Sequence, residues 1–227
     1  MVSSHGSRIS HTIASKFDII LASSSPRRYE ILHDVMGIKE LTLMKPSFAE
    51  DLDKSVYQDN PIGYVCDTSR CKAEGIVGDL KRMNCEQGKP KLVICADTVV
   101  IDSNNRIYEK PKSKEIQLQN LKNFCYSKGY SPLKVVTAVT IIRWKCEEDY
   151  QIRKTFHETT DIVCDDEIPL KLLEDYVDSE DGINVAGGFK IQGMSAMIIK
   201  KIDGDYYNVV GLPLNRTFMA IIHETSD

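Results

Sequence analysis

The chain has 227 residues, enough for one large α/β domain with a sizeable core or for two small ones. Its 42% hydrophobic and 27% charged content is that of an ordinary soluble globular protein, and no apolar run approaches the roughly 18–20 residues that span a bilayer. A net charge of -4 argues against a broad nucleic-acid-binding face, but it leaves room for a local basic pocket around a small anion.

Residues 1–16 are rich in Ser and His, carry Arg8 and Lys16, and contain no acid. That composition is faintly like an organelle transit peptide, and it reads better as a disordered tail ahead of one domain over 17–227. Phe17–Leu21 is a short apolar run that reads as a buried strand. It empties into Ala22-Ser23-Ser24-Ser25-Pro26-Arg27-Arg28, after which apolar residues resume at helical spacing through Ile31, Leu32, Val35 and Met36. Pro26 suits a first helical turn, because its missing amide would have no intrahelical partner there. Strand, polar turn and helix start together present backbone N–H groups beside two guanidiniums, a setting that suits phosphate oxygens. A capped surface helix with solvated arginines has the same pattern.

Leu41–Met44 suggests a second strand, followed by the acidic turn Phe48–Asp53. Pro61 opens a helix in which Tyr64, Val65, Thr68, Cys71, Ile76 and Leu80 recur at near-helical spacing, with Lys72 among them. Lys91–Ile101 is the strongest strand signal, apolar almost without alternation, as in a strand covered on both faces. Asp97 interrupts it. A buried carboxylate is costly without a cation or several donors, so Asp97 calls for a specific partner, either at a site or in a structural pairing with a lysine or helix end.

Ser103-Asn104-Asn105 reads as a hairpin turn leading to Ile107–Pro111, with a helix over about 113–127. Val135–Trp144 and Ile152–Val163 read as an antiparallel hairpin around the acidic turn 146–149. Ile168–Val177 is an amphipathic helix with Asp165 or Asp166 available as its cap. The glycine-rich run Asn184–Gly193 follows, and its paired glycines permit close approach of backbone to a ligand. Met197–Ile202 and Tyr207–Val210 suggest a closing strand pair, and Leu212–Ile222 a last helix. Seven cysteines, an odd number without any C-x-x-C pair, fit a reducing compartment and the cytoplasm.

With these segments placed, the chain resembles the Maf family of nucleotide pyrophosphatases. The matching pieces are Ser23–Arg28, the acid of the Phe48–Glu50 turn, Lys72, Ala96-Asp97-Thr98, Lys110-Pro111, Thr137-Ala138-Val139, Ala186–Gly193 and Gly204–Pro213. They occur in family order over about residues 17–224. The resemblance implies a single α/β domain: a mixed, twisted sheet flanked by helices, with a nucleotide-binding cleft like that of inosine-triphosphate pyrophosphatases. It further implies hydrolysis of a nucleoside triphosphate to monophosphate and pyrophosphate with a divalent metal, Mg²⁺ or Mn²⁺. Arg27 and Gln192 resemble the subgroup that prefers dTTP and UTP, with CTP and modified pyrimidine nucleotides within its range and a housecleaning role in the nucleotide pool. The subgroup acting on methylated GTP commonly has an aromatic in place of the first arginine and a glutamate in place of the glutamine. Two positions depart from the family: Asn184 stands where an Asp is frequent, and Leu133 or a neighbour where a His is frequent. Relatives imply a homodimer, although no stretch marks an interface.

Cleaving an α–β phosphoanhydride requires neutralising a polyanion and aligning water with phosphorus. Arg27, Arg28, Lys72 and Lys110 bring cations from separate elements, and Ser23 and Ser25 offer hydroxyl donors. Glu50 and Asp97 are hard oxygen ligands for Mg²⁺ or Mn²⁺. Asp97 could equally take a proton from the attacking water, and the resemblance favours that role. Thr98 and Gln192 are placed to contact base or phosphate, and an amide at 192 can both donate to and accept from a uracil or thymine edge. The expected partner is a small nucleotide, with neither nucleic acid nor membrane. Two other readings share these residues: a catalytically weak nucleotide-binding regulatory protein, and a pyrophosphatase for purine or methylated guanosine triphosphates.

Overall fold

A computed structural model describes residues 8–49, 51–83 and 88–225. Its centre is an eight-stranded mixed sheet in the order β2-β1-β3-β5-β7-β8, with β4 added to β3 and β6 to β5. The strands are β1 (Asp18–Ala22), β2 (Leu41–Leu43), β3 (Lys91–Ile101), β4 (Ile107–Tyr108), β5 (Leu133–Trp144), β6 (Tyr150–Ile152), β7 (Phe156–Cys164) and β8 (Ile199–Asp203). β1 is parallel to both β2 and β3, while the other pairs are antiparallel. This is the mixed, helix-flanked α/β architecture expected from the sequence.

Both faces of β3 are covered, which is why its sequence does not alternate. On one face, Val93 and Cys95 pack against Ala73, Ile76 and Val77 of α3 (Pro61–Arg82), and further along Val99 and Ile101 meet Tyr64 and Val65. On the other face, Leu92, Ile94 and Ala96 join a core with Ile31, Leu32 and Ile221, which follow α2 (Pro26–Glu30) or lie in α7 (Leu214–Thr225). Beyond it, Val100 and Val135 belong to a separate core with α4 (Lys114–Tyr126) and α5 (Leu170–Asp178). The two cores on that face are divided at Thr98 and Thr137, which stand opposite each other on β3 and β5.

Four expectations change in the structure. Arg8–Lys16, assigned by composition to a tail, forms helix α1, with Ile13 buried and Ser10 Oγ donating to Met36 O at 2.6 Å. The strand after the acidic turn is split into β6 and β7. The registers Ile142↔Ile152 and Val139↔Phe156 leave one extra residue on that side, a bulge where Arg153 turns to pair with Glu224. Neither Asp165 nor Asp166 caps α5; its first position follows Pro169, and Asp165 instead accepts from Glu167 N. Tyr206–Val210 is a helical turn, α6, not a strand. Asp205 accepts from Tyr207 N at 2.7 Å and Asn208 N at 3.3 Å, a cap that overrides the β preference of Tyr and Val, and Gly211 ends the turn at φ 129°.

Candidate active site

The sheet is notched beside β3. β1 pairs with it only as far as Ala22↔Cys95, and β4 begins at Val100↔Tyr108. Between those points, Ala96–Val99 has no strand on its outer edge among the described residues, so groups from both faces of the sheet can reach the same gap. The candidate site residues assemble around it.

From one face comes Asp97. Its Oδ1 accepts from Lys72 Nζ at 2.7 Å, and the two side chains are 14% and 7% exposed. Lys72 faces the sheet because it shares the buried stripe of α3 with Thr68, Ser69, Ala73 and Ile76. The specific partner that a buried carboxylate demands is therefore this lysine, and the ammonium expected to meet phosphate first neutralises Asp97. Asp97 Oδ2 makes no bond with the described residues, so this oxygen is open to water or a cation. Nearby, Tyr64 donates to Glu109 Oε1 at 2.6 Å, and Glu109 also pairs with Lys54. Burial and the Glu109 hydrogen bond push the Tyr64 phenol up from its ordinary pKa, so it stays a donor.

From the opposite face comes Arg28. Its Nε donates to Gly211 O at 2.8 Å, one terminal nitrogen to Ser23 Oγ at 3.2 Å and Ala96 O at 2.9 Å, and the other to Thr98 Oγ1 at 2.9 Å. At least four of its five N–H groups are thus spent on protein, and Arg28 offers the gap chiefly a fixed positive charge. Ser23 Oγ accepts from Arg28 and from Ser25 N at 3.1 Å, which leaves its own proton available to an oxygen in the notch. Arg27 donates from Nε to Val210 O at 3.2 Å. Burial lowers its pKa from the usual value, opposed by Tyr176 and Asp181, and a guanidinium so placed remains charged.

The other lip is formed by β4 and the glycine-rich run. Gly187 N donates to Glu109 O at 3.0 Å, and a side chain at Gly187 would meet Val100 Cγ2 at 2.7 Å. With φ at 71°, this position suits glycine for both conformation and space. Lys110 and Gln192 sit on this lip, exposed and without a hydrogen bond to the described residues. Lys190, two residues before Gln192, pairs with Asp181 at 2.5 Å. Ser25 precedes α2 with no side-chain cap bond. Glu50 lies outside the described residues.

Ser23, Arg28, Lys72, Asp97 and Thr98 are brought together around the notch, while Lys110 and Gln192 belong to the facing lip. Sequence reasoning gave no role to Thr137, Asn208, Tyr64 or Glu109. Thr137 had a partial signal, as a polar residue inside an apolar strand; its place opposite Thr98 comes from the strand register.

A family model described as Maf-like protein matches residues 18–224. The chain belongs to the Maf family. Among similar Maf proteins is the dTTP/UTP pyrophosphatase of Saccharomyces cerevisiae, 55% identical over 94% of this chain and 93% of that one. The dTTP/UTP pyrophosphatase of Schizosaccharomyces pombe is 39% identical over 88% of this chain and 80% of its own length. A solved structure of a HAM1 protein from Coxiella burnetii covers 91% of the chain at 12% identity with a TM-score of 0.43, too low a likeness to carry argument. Every motif that placed the chain near this family in sequence lies within the matched span.

Proposed function

We propose that this Maf protein hydrolyses dTTP and UTP to the monophosphate and pyrophosphate, clearing normal or modified pyrimidine nucleotides from the pool. One observation carries the reaction class: a carboxylate and a fixed guanidinium reach a single gap in the sheet from opposite faces. The dTTP/UTP pyrophosphatases that match this chain over 94% and 88% of its length support the substrate. Six described cysteines are free thiols, which supports a cytoplasmic setting.

In this reading Lys72 orients Asp97, and Oδ2 takes a proton from the attacking water or holds a divalent ion. The residues fit Mg²⁺ or Mn²⁺. No cluster of three His, Cys, Asp or Glu occurs among the described residues, and such ions commonly take only one or two carboxylates and draw the rest from water and phosphate. Asp97 would hold it, with Glu50 as second ligand, and the ion would supply neutralising charge to the phosphates. Arg28 and Arg27 contribute positive charge at the phosphate chain, Ser23 donates a hydrogen bond, and Lys110 approaches from the far lip. Gln192, exposed beside the cleft, both donates and accepts, as a uracil or thymine edge requires.

The test is a substrate panel of dTTP, UTP, CTP, ITP and methylated GTP with products identified. The reading expects the largest kcat/KM for dTTP and UTP. A preference for ITP or methylated GTP would overturn the specificity, and turnover of none would favour the regulatory reading.

A further inference from the structure

Behind Arg28 runs a line of two hydroxyls, the half-buried Thr98 and the buried Thr137, with only one consistent direction of donation. Arg28 donates to Thr98 Oγ1 at 2.9 Å, Thr98 and Thr137 hydroxyls lie 2.9 Å apart, and Thr137 Oγ1 lies 3.1 Å from Asn208 O. A guanidinium can only donate and a carbonyl only accept, and each hydroxyl has one proton. Thr137 must therefore give its proton to Asn208 O, so Thr98 gives its own to Thr137. The line reads Arg28 to Thr98 to Thr137 to Asn208, polarised from cation to carbonyl. Its far end is fixed, because Asn208 is fully buried and its Nδ2 donates to Val135 O at 2.9 Å and Thr160 Oγ1 at 3.0 Å. Asp205 caps the helical turn that carries it.

We propose that Thr137 is a positioning residue that holds Arg28 in the notch, and that Thr98 serves the same line and is not a phosphate donor. The proposal rests on the pyrophosphatase reading for its effect on rate. Thr98 has no second proton for substrate once it donates to Thr137. Without the Thr137 hydroxyl, the nearest alternative acceptor for Thr98 is Gly211 O at 3.4 Å, the same carbonyl that holds Arg28 Nε. Losing Thr137 Oγ1 thus disturbs the guanidinium at two anchors, Thr98 Oγ1 and Gly211 O, although Thr137 is fully buried and touches no substrate.

The experiment compares Thr137→Val, Thr137→Ser and Thr140→Val in the full chain. Thr140 is an equally buried hydroxyl on β5, bonded to Ser69 and Thr155 on the opposite face, away from the line. Thr137→Val should lower kcat/KM for UTP about 5–10-fold at a Tm close to that of Thr140→Val, and Thr137→Ser should restore it. In ¹H–¹⁵N spectra, the Arg28 Nε–H signal should stay sharp in wild type and Thr137→Ser and broaden in Thr137→Val, with or without nucleotide. Equal loss of rate in the two valine variants, or no serine rescue, or an unchanged Arg28 signal, would overturn the proposal. An inactive wild type with the Arg28 signal behaving as described would refute the pyrophosphatase reading alone.

Discussion

Along the β3 edge, Arg28, Lys72 and Asp97 are already held by protein groups, whereas at the facing lip Lys110 and Gln192 reach solvent without hydrogen-bond partners among the described residues. The first side resembles a preorganised electrostatic site, in which orientation is fixed before a ligand arrives. The second is adaptable and can select among bases without disturbing the charges that act on phosphate. On this account substitutions at the edge lower turnover on every nucleotide, and substitutions at the lip change which nucleotide is preferred.

The largest effect is expected at Asp97. Asp97→Asn keeps size and an oxygen acceptor for Lys72, but removes the charge that accepts a proton or holds a cation. Steady-state kinetics should show kcat reduced about 10²–10⁴-fold with circular dichroism unchanged. A near-normal rate would make the Lys72–Asp97 pair structural only. Next comes Lys72→Met, which strands a carboxylate that is only 14% exposed. Chemical denaturation should register a loss of about 3–5 kcal/mol in the metal-free protein. A loss below about 1 kcal/mol would show that Asp97 does not depend on this partner.

At the lip, Gln192→Glu should reduce kcat/KM for dTTP and UTP more than for guanosine nucleotides, because an ionised carboxylate cannot donate to a pyrimidine carbonyl. A mispaired polar group of this kind costs about 1–3 kcal/mol, or roughly 5–150-fold in selectivity. An equal loss on all nucleotides in this variant would erase the distinction between edge and lip. The smallest effect concerns the cap under the hydroxyl line: Asp205→Ala should cost about 1 kcal/mol of stability in thermal melts.

The sequence was most legible where one local rule dominated. The apolar run into Ser23–Arg28 announced strand, turn and helix, and the unbroken apolar character of β3 made Asp97 conspicuous. It was least legible where a side chain or a distant strand decided the outcome. Tyr206–Val210 has strand-like composition, yet a single carboxylate at 205 turns it helical. Consecutive residues Asp97 and Thr98 look like one motif, yet the pleat sends them to opposite faces, so only Asp97 belongs to the Lys72 side. Thr137 acquires a role only through the β3–β5 register, which no local pattern specifies. The helix at Arg8–Lys16 is stabilised by contacts with Met36 and Thr225, far away in sequence.

The most direct test of the central claim is hydrolysis of UTP by the purified protein in ¹⁸O-labelled water, with every phosphate product resolved by mass. Attack at the α-phosphorus predicts UMP carrying one ¹⁸O and unlabelled pyrophosphate. UDP with labelled orthophosphate, or label in the pyrophosphate, would contradict it.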